Sequence, residues 1–194
     1  HNSICARDCE VRDMLVNGKW EGDWQKRQRS DESGRFIRET SSIRHWITAD
    51  GSAGPSGDGG FKAEPGRYHL YVALNCPWAC RALIYRKLKK LDEVVSLSIT
   101  APEFTEQGYG FRPHEGSITD PVHNVRYVHE LYTLADSNFT GRPTVPVLWD
   151  KVSDTMVNNE SSEIIRMFNT AFDDFADADV DFYPSERRGD IDAL

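Results

Sequence analysis

The stretch HLYVALNCPWACRALIYRKL (residues 69–88) limits the fold more tightly than any other part of the chain. A β-rich run, RYHLYVAL (67–74), stops at Asn75, and a helical pattern starts at Pro77 with no connecting loop between them. Proline is favoured at the first helical position, where no N–H is needed. Cys76 is therefore predicted at the N-cap. The unpaired N–H groups and the positive end of the helix dipole then point at its sulfur. Helix N-termini favour thiolate over thiol, and the thiolate is the competent nucleophile. A buried structural cysteine at a strand end is the alternative. The following proline and the strand-to-helix context favour the reactive role.

Cys80 follows one helical turn later. In thioredoxin-like oxidoreductases the resolving cysteine is the third residue after the first, and here that residue is Ala79. Single-thiol chemistry that uses an external thiol such as glutathione is expected, in place of an internal dithiol cycle. Cys80 is read as a packing residue, one still able to trap Cys76 under oxidation.

The segments downstream set the architecture. PWACRALIYRKLKKL (77–91) places Ala79, Leu83, Ile84, Leu88 and Leu91 at helical spacing. EVVSLSIT (93–100) alternates like a strand, 101–126 is broken by glycine and proline, and VRYVHELYTLAD (125–136) is helical again. TVPVLWD (144–150) and TMVNN (155–159) predict a β-hairpin, closed by a helix over ESSEIIRMFNTAF (160–172) with Ile164, Ile165, Phe168 and Phe172 apolar. The order β-α-β-α-β-β-α predicts an α/β, thioredoxin-like fold with a right-handed crossover in its first half. The expected organisation is an extension over 1–66, the folded domain over 67–172 and a linker over 173–194. In the extension, Trp20, Trp24, Phe36 and Trp46 predict packing against the domain. The Gly-rich patch DGSAGPSGDGGF (50–61) lacks both phosphate-loop patterns and reads as a loop. The acidic tail carries Asp177, Asp179 and Asp181, but Phe182 and Arg188 stand where a calcium loop needs Gly and Glu, so a solvated linker is expected.

Composition narrows the function classes. The net charge of −8 over 194 residues disfavours nucleic acid and anionic membranes as partners. No apolar run is long enough to cross a bilayer, and the N-terminus shows no signal-peptide h-region. The absence of an initial methionine points to a fragment or a processed chain. Cys5, Cys9, Cys76 and Cys80 fit no disulfide scaffold and no C-x-x-C pair, so no metal site is expected and a reducing, cytoplasmic setting fits, an organelle being the alternative.

Two further features surround the cysteine. In GRPTVPVLWD, Pro146 enters a strand where proline removes a ladder hydrogen bond. A cis Val145–Pro146 bond would make a fixed bend and leave the N–H and C=O of Val145 to pair with a peptide ligand; an ordinary trans edge proline is the alternative. In NNESSEIIRM, Glu160 and Ser161 open the last helix, whose N-terminal N–H groups suit a carboxylate. Ser161 adds a hydroxyl and Glu160 an acceptor for a ligand ammonium; a γ-glutamyl group carries both ends. Simple capping is the alternative. Arg142 and Lys151 are expected as nearby cations, and Arg81, Arg86, Lys87, Lys89 and Lys90 as a solvated helix face.

Together, CPWA after a strand, TVPVLWD and NNESSEIIRM resemble the glutathionyl-hydroquinone reductases, the Xi class of glutathione transferases, related to omega-like transferases. SSIRHWIT and GRYHLYVALNCPWACRALI extend the resemblance, which runs from about Trp20 to the end. It implies a nucleophilic cysteine at Cys76 and glutathione, the co-substrate, held by Arg142, Pro143, Thr144, Val145, Glu160 and Ser161. It also implies a contact from the aromatic after Gly108, usually tryptophan and here Tyr109. The family usually reads CPWAH, and Cys80 replaces that histidine. The implied reaction removes glutathione from a glutathionyl-hydroquinone through a Cys76–glutathione mixed disulfide, so the expected partners are glutathione and a quinol-type small molecule. Family members continue into an all-α C-terminal domain that supplies a tyrosine acid, much of the acceptor pocket and the contacts of a homodimer. The present chain is expected to lack most of it. Two other outcomes are an omega-like thiol transferase or dehydroascorbate reductase, and a glutathione-binding domain without catalysis.

Overall fold

The computed structural model describes residues 14–21, 33 and 41–193. Cys5, Cys9, Trp24 and Phe36 lie outside the described residues. Four strands, β3 (Tyr68–Val72), β4 (Val95–Ile99), β5 (Val147–Asp150) and β6 (Thr155–Asn158), form one sheet in the order β4-β3-β5-β6. The β3–β4 pair is parallel, and β3–β5 and β5–β6 are antiparallel. The helices α1 (Pro77–Leu88), α2 (Val128–Ala135) and α3 (Ser161–Thr170) complete the thioredoxin-like order. Every residue of β3 is buried, as a strand covered on both faces must be. The stretch 101–127 forms no regular element. It is organised around buried Asp120, whose carboxylate accepts from Tyr71 Oη and from the N–H groups of Val122, His123 and Val125.

The apolar stripe predicted on α1 packs only in part: Ala79 and Leu91 are fully buried and Leu83 lies against the core. Ala79 and Ala82 are buried with the stem of Arg86, while Ile84 and Leu88 are 54% and 49% exposed. Small residues let α1 approach its neighbour closely, and the cations at its C-terminal end are used internally. Arg86 donates to Val95 O at 2.6 Å and to Asp92, and Lys89, with no exposed surface, reaches Asp173 and Val180 O. The solvated basic face expected there is thus confined to residues such as Lys87 and Lys90, and Lys90 itself pairs with Asp177. The acidic tail is correspondingly not a solvated linker. Asp173 and Asp177 pin it to the end of α1, Asp181 accepts from Asn169 Nδ2 at 2.7 Å, and it ends in a short helix, α4 (Arg188–Asp192).

The N-terminal extension docks in two places. A hairpin, β1 (Met14–Val16) and β2 (Lys19–Glu21), turns through Asn17 and Gly18, both with positive φ. No element is predicted there from hydrophobic spacing, yet an Asn-Gly pair between apolar residues is a strong hairpin signal. Gly18 is required twice over: its φ is +73°, and a Cβ would lie 2.0 Å from Ser137 O. Leu15 exchanges both backbone hydrogen bonds with Gly141, and Trp20 stacks on His129 and donates to Glu106 O. The second docking segment, 41–48, runs along β6. His45 N donates to Val157 O, and Asn159 N to Ile43 O. It covers a sheet edge that would otherwise be open to pairing with another chain. Trp20 and Trp46 pack against the core, as their aromatic character predicts.

Candidate active site

Cys76 occupies the N-cap of α1 with extended backbone angles, φ −105° and ψ 111°, and Pro77 is the first helical residue. The thiol is half-buried, free, and points toward Val145 O at 3.7 Å. The Val145–Pro146 peptide is cis, and β5 starts immediately after it. The parallel β3 and antiparallel β5 therefore deliver the cysteine and the 142–146 loop to the same end of the sheet.

Tyr132 holds that loop. Its hydroxyl, fully buried, donates to Thr144 O at 2.9 Å and accepts from Thr144 N–H at 3.0 Å and from Asn159 Nδ2 at 2.9 Å. One phenol thus fixes the backbone at Thr144 and the residue before Glu160. Neither Tyr132 nor Asn159 stands out in the sequence, because an α2 tyrosine at a buried spacing reads as core. Tyr132→Phe leaves three polar groups, the Thr144 N–H and C=O and the buried Asn159 amide, short of a partner. It is expected to lower stability by about 1–3 kcal/mol, because the 142–146 loop and the start of α3 lose their common anchor. Urea unfolding checks this, and an unchanged midpoint would remove the anchoring role.

At the start of α3, Glu160 caps the helix, accepting from Ser162 N at 3.2 Å and from Ser162 Oγ at 3.0 Å. Its other carboxylate oxygen accepts from Ser41 Oγ at 2.9 Å. Ser161 is fully buried, and its Oγ accepts from Arg81 Nε and Nη2 at 2.9 and 2.8 Å. The hydroxyl read from sequence as a ligand contact is therefore engaged with Arg81. Arg81 also lies 3.5 Å from Glu160 Oε1 and over the Trp78 ring. It tethers the helix that carries Cys76 to the helix that carries Glu160. The capping alternative is thus what the structure shows at this end, with the Ser162, Glu163 and Ile164 amides donating to Glu160 and Ser41 beside its carboxylate.

Tyr109 is half-buried near Cys76. Its loop is anchored by Val128 N–H, which donates to Tyr109 O, and its ring packs on Phe104 at 4.0 Å. Burial pushes its phenol well above the usual range, Cys76 raises it further, Arg142 draws it back and Cys80 adds to the rise. Tyr109, Cys76, Cys80 and Arg142 thus share one electrostatic environment. Arg142 is exposed, Pro143 and Thr144 are half-buried, and Val145 is buried. Lys151 is not near this group. It follows Asp150 at the far end of β5, roughly 13 Å along the strand from Val147, and its Nζ reaches Ser96 Oγ at 3.3 Å. The strand direction, invisible in the spacing alone, separates it from Cys76.

Residues 75–171, half of the chain, match the family model of the glutathione S-transferase N-terminal domain. The chain is 47% identical over 182 residues to the glutathionyl-hydroquinone reductase YqjG of Escherichia coli K12, covering 93% of this chain and 55% of that protein. It is 42% identical to the glutathionyl-hydroquinone reductase PcpF of Sphingobium chlorophenolicum, covering 93% of this chain and 54% of that protein. Among solved structures, it superposes on glutathione-bound YqjG with a TM-score of 0.79 at 44% identity, over 93% of this chain and 52% of that one. A Xi-class transferase from Natrialba magadii gives 0.77 at 43% identity, over 93% and 51% of the two chains. The chain spans about half the length of these relatives. With the cysteine at the seam, the fold order and this similarity in agreement, the chain belongs to the glutathione S-transferase N-terminal domain family.

Proposed function

We propose that the chain is the glutathione-binding part of a glutathionyl-hydroquinone reductase, with Cys76 as nucleophile. The observation that carries this reading is the half-buried Cys76 thiol at the N-cap of α1, 3.7 Å from Val145 O, in a chain 47% identical to a protein of that name. Glutathione lies with its cysteinyl backbone along Val145 and its γ-glutamyl end at Glu160 and the α3 amides, with Arg142, Pro143, Thr144 and Tyr109 at its sides. Ser161 contributes its backbone and, through Arg81, the placement of Glu160. In the first step the Cys76 thiolate attacks the glutathione sulfur of the conjugate. The carbon–sulfur bond breaks, its electron pair passes to the ring carbon, and that carbon takes a proton, releasing the hydroquinone. A second glutathione thiolate then attacks the glutathione sulfur of the mixed disulfide, giving oxidised glutathione and restoring the Cys76 thiolate.

Cys76→Ser is expected to reduce turnover of a glutathionyl-hydroquinone by about a thousandfold or more and to abolish the glutathione adduct seen by mass spectrometry on the parent. Turnover retained in the variant, or no adduct on the parent, would end this reading. A second reading, thiol transfer or dehydroascorbate reduction through the same cysteine, draws on 43% identity to the omega-like transferase 2 of Schizosaccharomyces pombe. Comparing kcat/KM for a glutathionyl-hydroquinone with that for a small glutathione mixed disulfide separates the two. Glutathione binding without either turnover would mark a binding domain.

A further inference from the structure

We propose that Cys80 is a resolving cysteine: it attacks the Cys76–glutathione mixed disulfide, and the enzyme rests between its half-reactions as a Cys76–Cys80 disulfide. The inference rests on the proposed function, which supplies the mixed disulfide.

Three observations place Cys80 in the site. First, its side chain is not a core residue. It is only half-buried, and it is missing from the partly buried apolar side chains that pack against the core, among which Cys76 is found. Second, its thiol is turned back to the strand–helix seam. Cys80 Sγ lies 3.1 Å from Leu74 O, two residues before Cys76, so the sulfur sits at the helix entrance. Third, Cys76 and Cys80 both stand close enough to the Tyr109 phenol to raise it.

The spacing permits the bond. Cys80 N–H donates to Cys76 O at 2.9 Å, a regular turn between the two residues. Helical rise and radius put their Cα atoms about 6.2 Å apart, inside the range that disulfides span. Side chains one turn apart on a regular helix have Cβ atoms about 5–6 Å apart, which exceeds the usual disulfide separation. Cys76 has extended angles, so the regular-helix spacing does not fix its Cβ, and closing the bond requires the first turn of α1 to loosen. A bond formed this way is held in tension, and strained disulfides are readily reduced by free thiols.

The step balances without an added oxidant. Cys80 loses its proton and its thiolate attacks Cys76 Sγ. The bond between Cys76 Sγ and the glutathione sulfur breaks, and glutathione leaves as a thiolate and takes up the proton. One disulfide is exchanged for another at the same oxidation level. Two glutathione molecules then reopen the pair, first as a new mixed disulfide and then as oxidised glutathione. The net reaction still consumes one glutathione per conjugate. What changes is the resting species: Cys76 is shielded by its neighbour while glutathione is scarce.

Cleavage by trypsin after Arg67 and Arg81 leaves both cysteines in one peptide, 68–81, which separates their state from that of Cys5 and Cys9. The protein and its Cys80→Ser variant are loaded with oxidised glutathione, free glutathione is removed, remaining thiols are alkylated and the peptide is weighed. The parent is expected to yield the unalkylated peptide lacking two hydrogens, with a glutathione adduct about tenfold shorter-lived than in Cys80→Ser. An adduct that persists equally in both proteins overturns the role of Cys80 and leaves Cys76 as nucleophile intact. No adduct in either protein and no internal disulfide removes both readings. Cys80 is at the surface of α1, and serine there keeps the helix, which circular dichroism of the variant verifies.

Discussion

Asp150→Ala is expected to destabilise the fold by about 3–5 kcal/mol, the effect of stranding one half of a buried ion pair. Asp150 is wholly buried at the end of β5, and Arg67, just before β3, is 9% exposed. The guanidinium meets the carboxylate with two parallel bonds, Nε to Oδ1 at 2.9 Å and Nη2 to Oδ2 at 2.6 Å. Burial alone would raise the Asp150 carboxyl; the Arg67 bonds and the Val152 N–H overcome it and hold it below its usual range. The same pair holds the Arg67 guanidinium above its own. In the sign of the linkage, this contributes stability at neutral pH that disappears as pH falls through the lowered carboxyl value. Removing Asp150 leaves Arg67 with only Glu64 and the Gly60 carbonyl, and also leaves Val152 N–H without its acceptor. Replacing both partners together, Arg67→Met with Asp150→Leu, is expected to cost less than Asp150→Ala, because no charge is left buried. Urea unfolding at pH 7 measures all three. A loss under 1 kcal/mol for Asp150→Ala, or a double variant worse than the single, contradicts the account.

Acidification from pH 6.5 to 4 is expected to remove about 3 kcal/mol through His69 alone. The ring has no exposed surface and lies between Ser96 Oγ at 2.7 Å and Ser98 Oγ at 2.9 Å. Burial pushes it from 6.5 down to about 4, with Asp120 opposing and Lys151, Arg86 and His123 assisting. Above 6.5 the ring is neutral in both states and contributes no slope. Below 6.5 the unfolded ring takes up a proton that the folded ring refuses, so stability falls at about 1.4 kcal/mol per pH unit until the folded value is reached. His69→Gln, which keeps a donor and an acceptor for the two serines, should flatten the profile by that slope. Equal slopes in the parent and the variant between pH 6.5 and 4.5 would show that His69 is not the group responsible. His129 is also held down to about 4 by burial, so a shallower dependence remains after the substitution.

The site divides in the same way as these two effects, into what is local and what is long-range. Cys76 at an N-cap is legible because a strand, a cysteine and an N1 proline follow one another along the chain. Glu160 at the α3 N-cap is legible for the same reason. Tyr132 and Arg81 are not. Each works by reaching an element distant in sequence, and nothing about a tyrosine on α2 or an arginine on a basic helix marks the bond it makes. Lys151 shows the converse error: five residues from Pro146 in sequence, it is carried away because a strand extends where a turn would have folded back.

By itself the chain's order of residues determined the secondary elements from Tyr68 to Thr170, the place of Cys76 at a helix start and membership in the transferase family, since these depend on neighbours in sequence and on hydrophobic period. Only the tertiary structure decided which face of α1 is buried, that the acidic tail is clamped by Lys89 and Lys90, and that the extension shields β6 and buttresses the loop of Tyr109. Those outcomes come from ion pairs and backbone bonds between segments as far apart in sequence as Leu15 and Gly141. Their energies depend on distance and burial in space, quantities that a one-dimensional pattern does not carry.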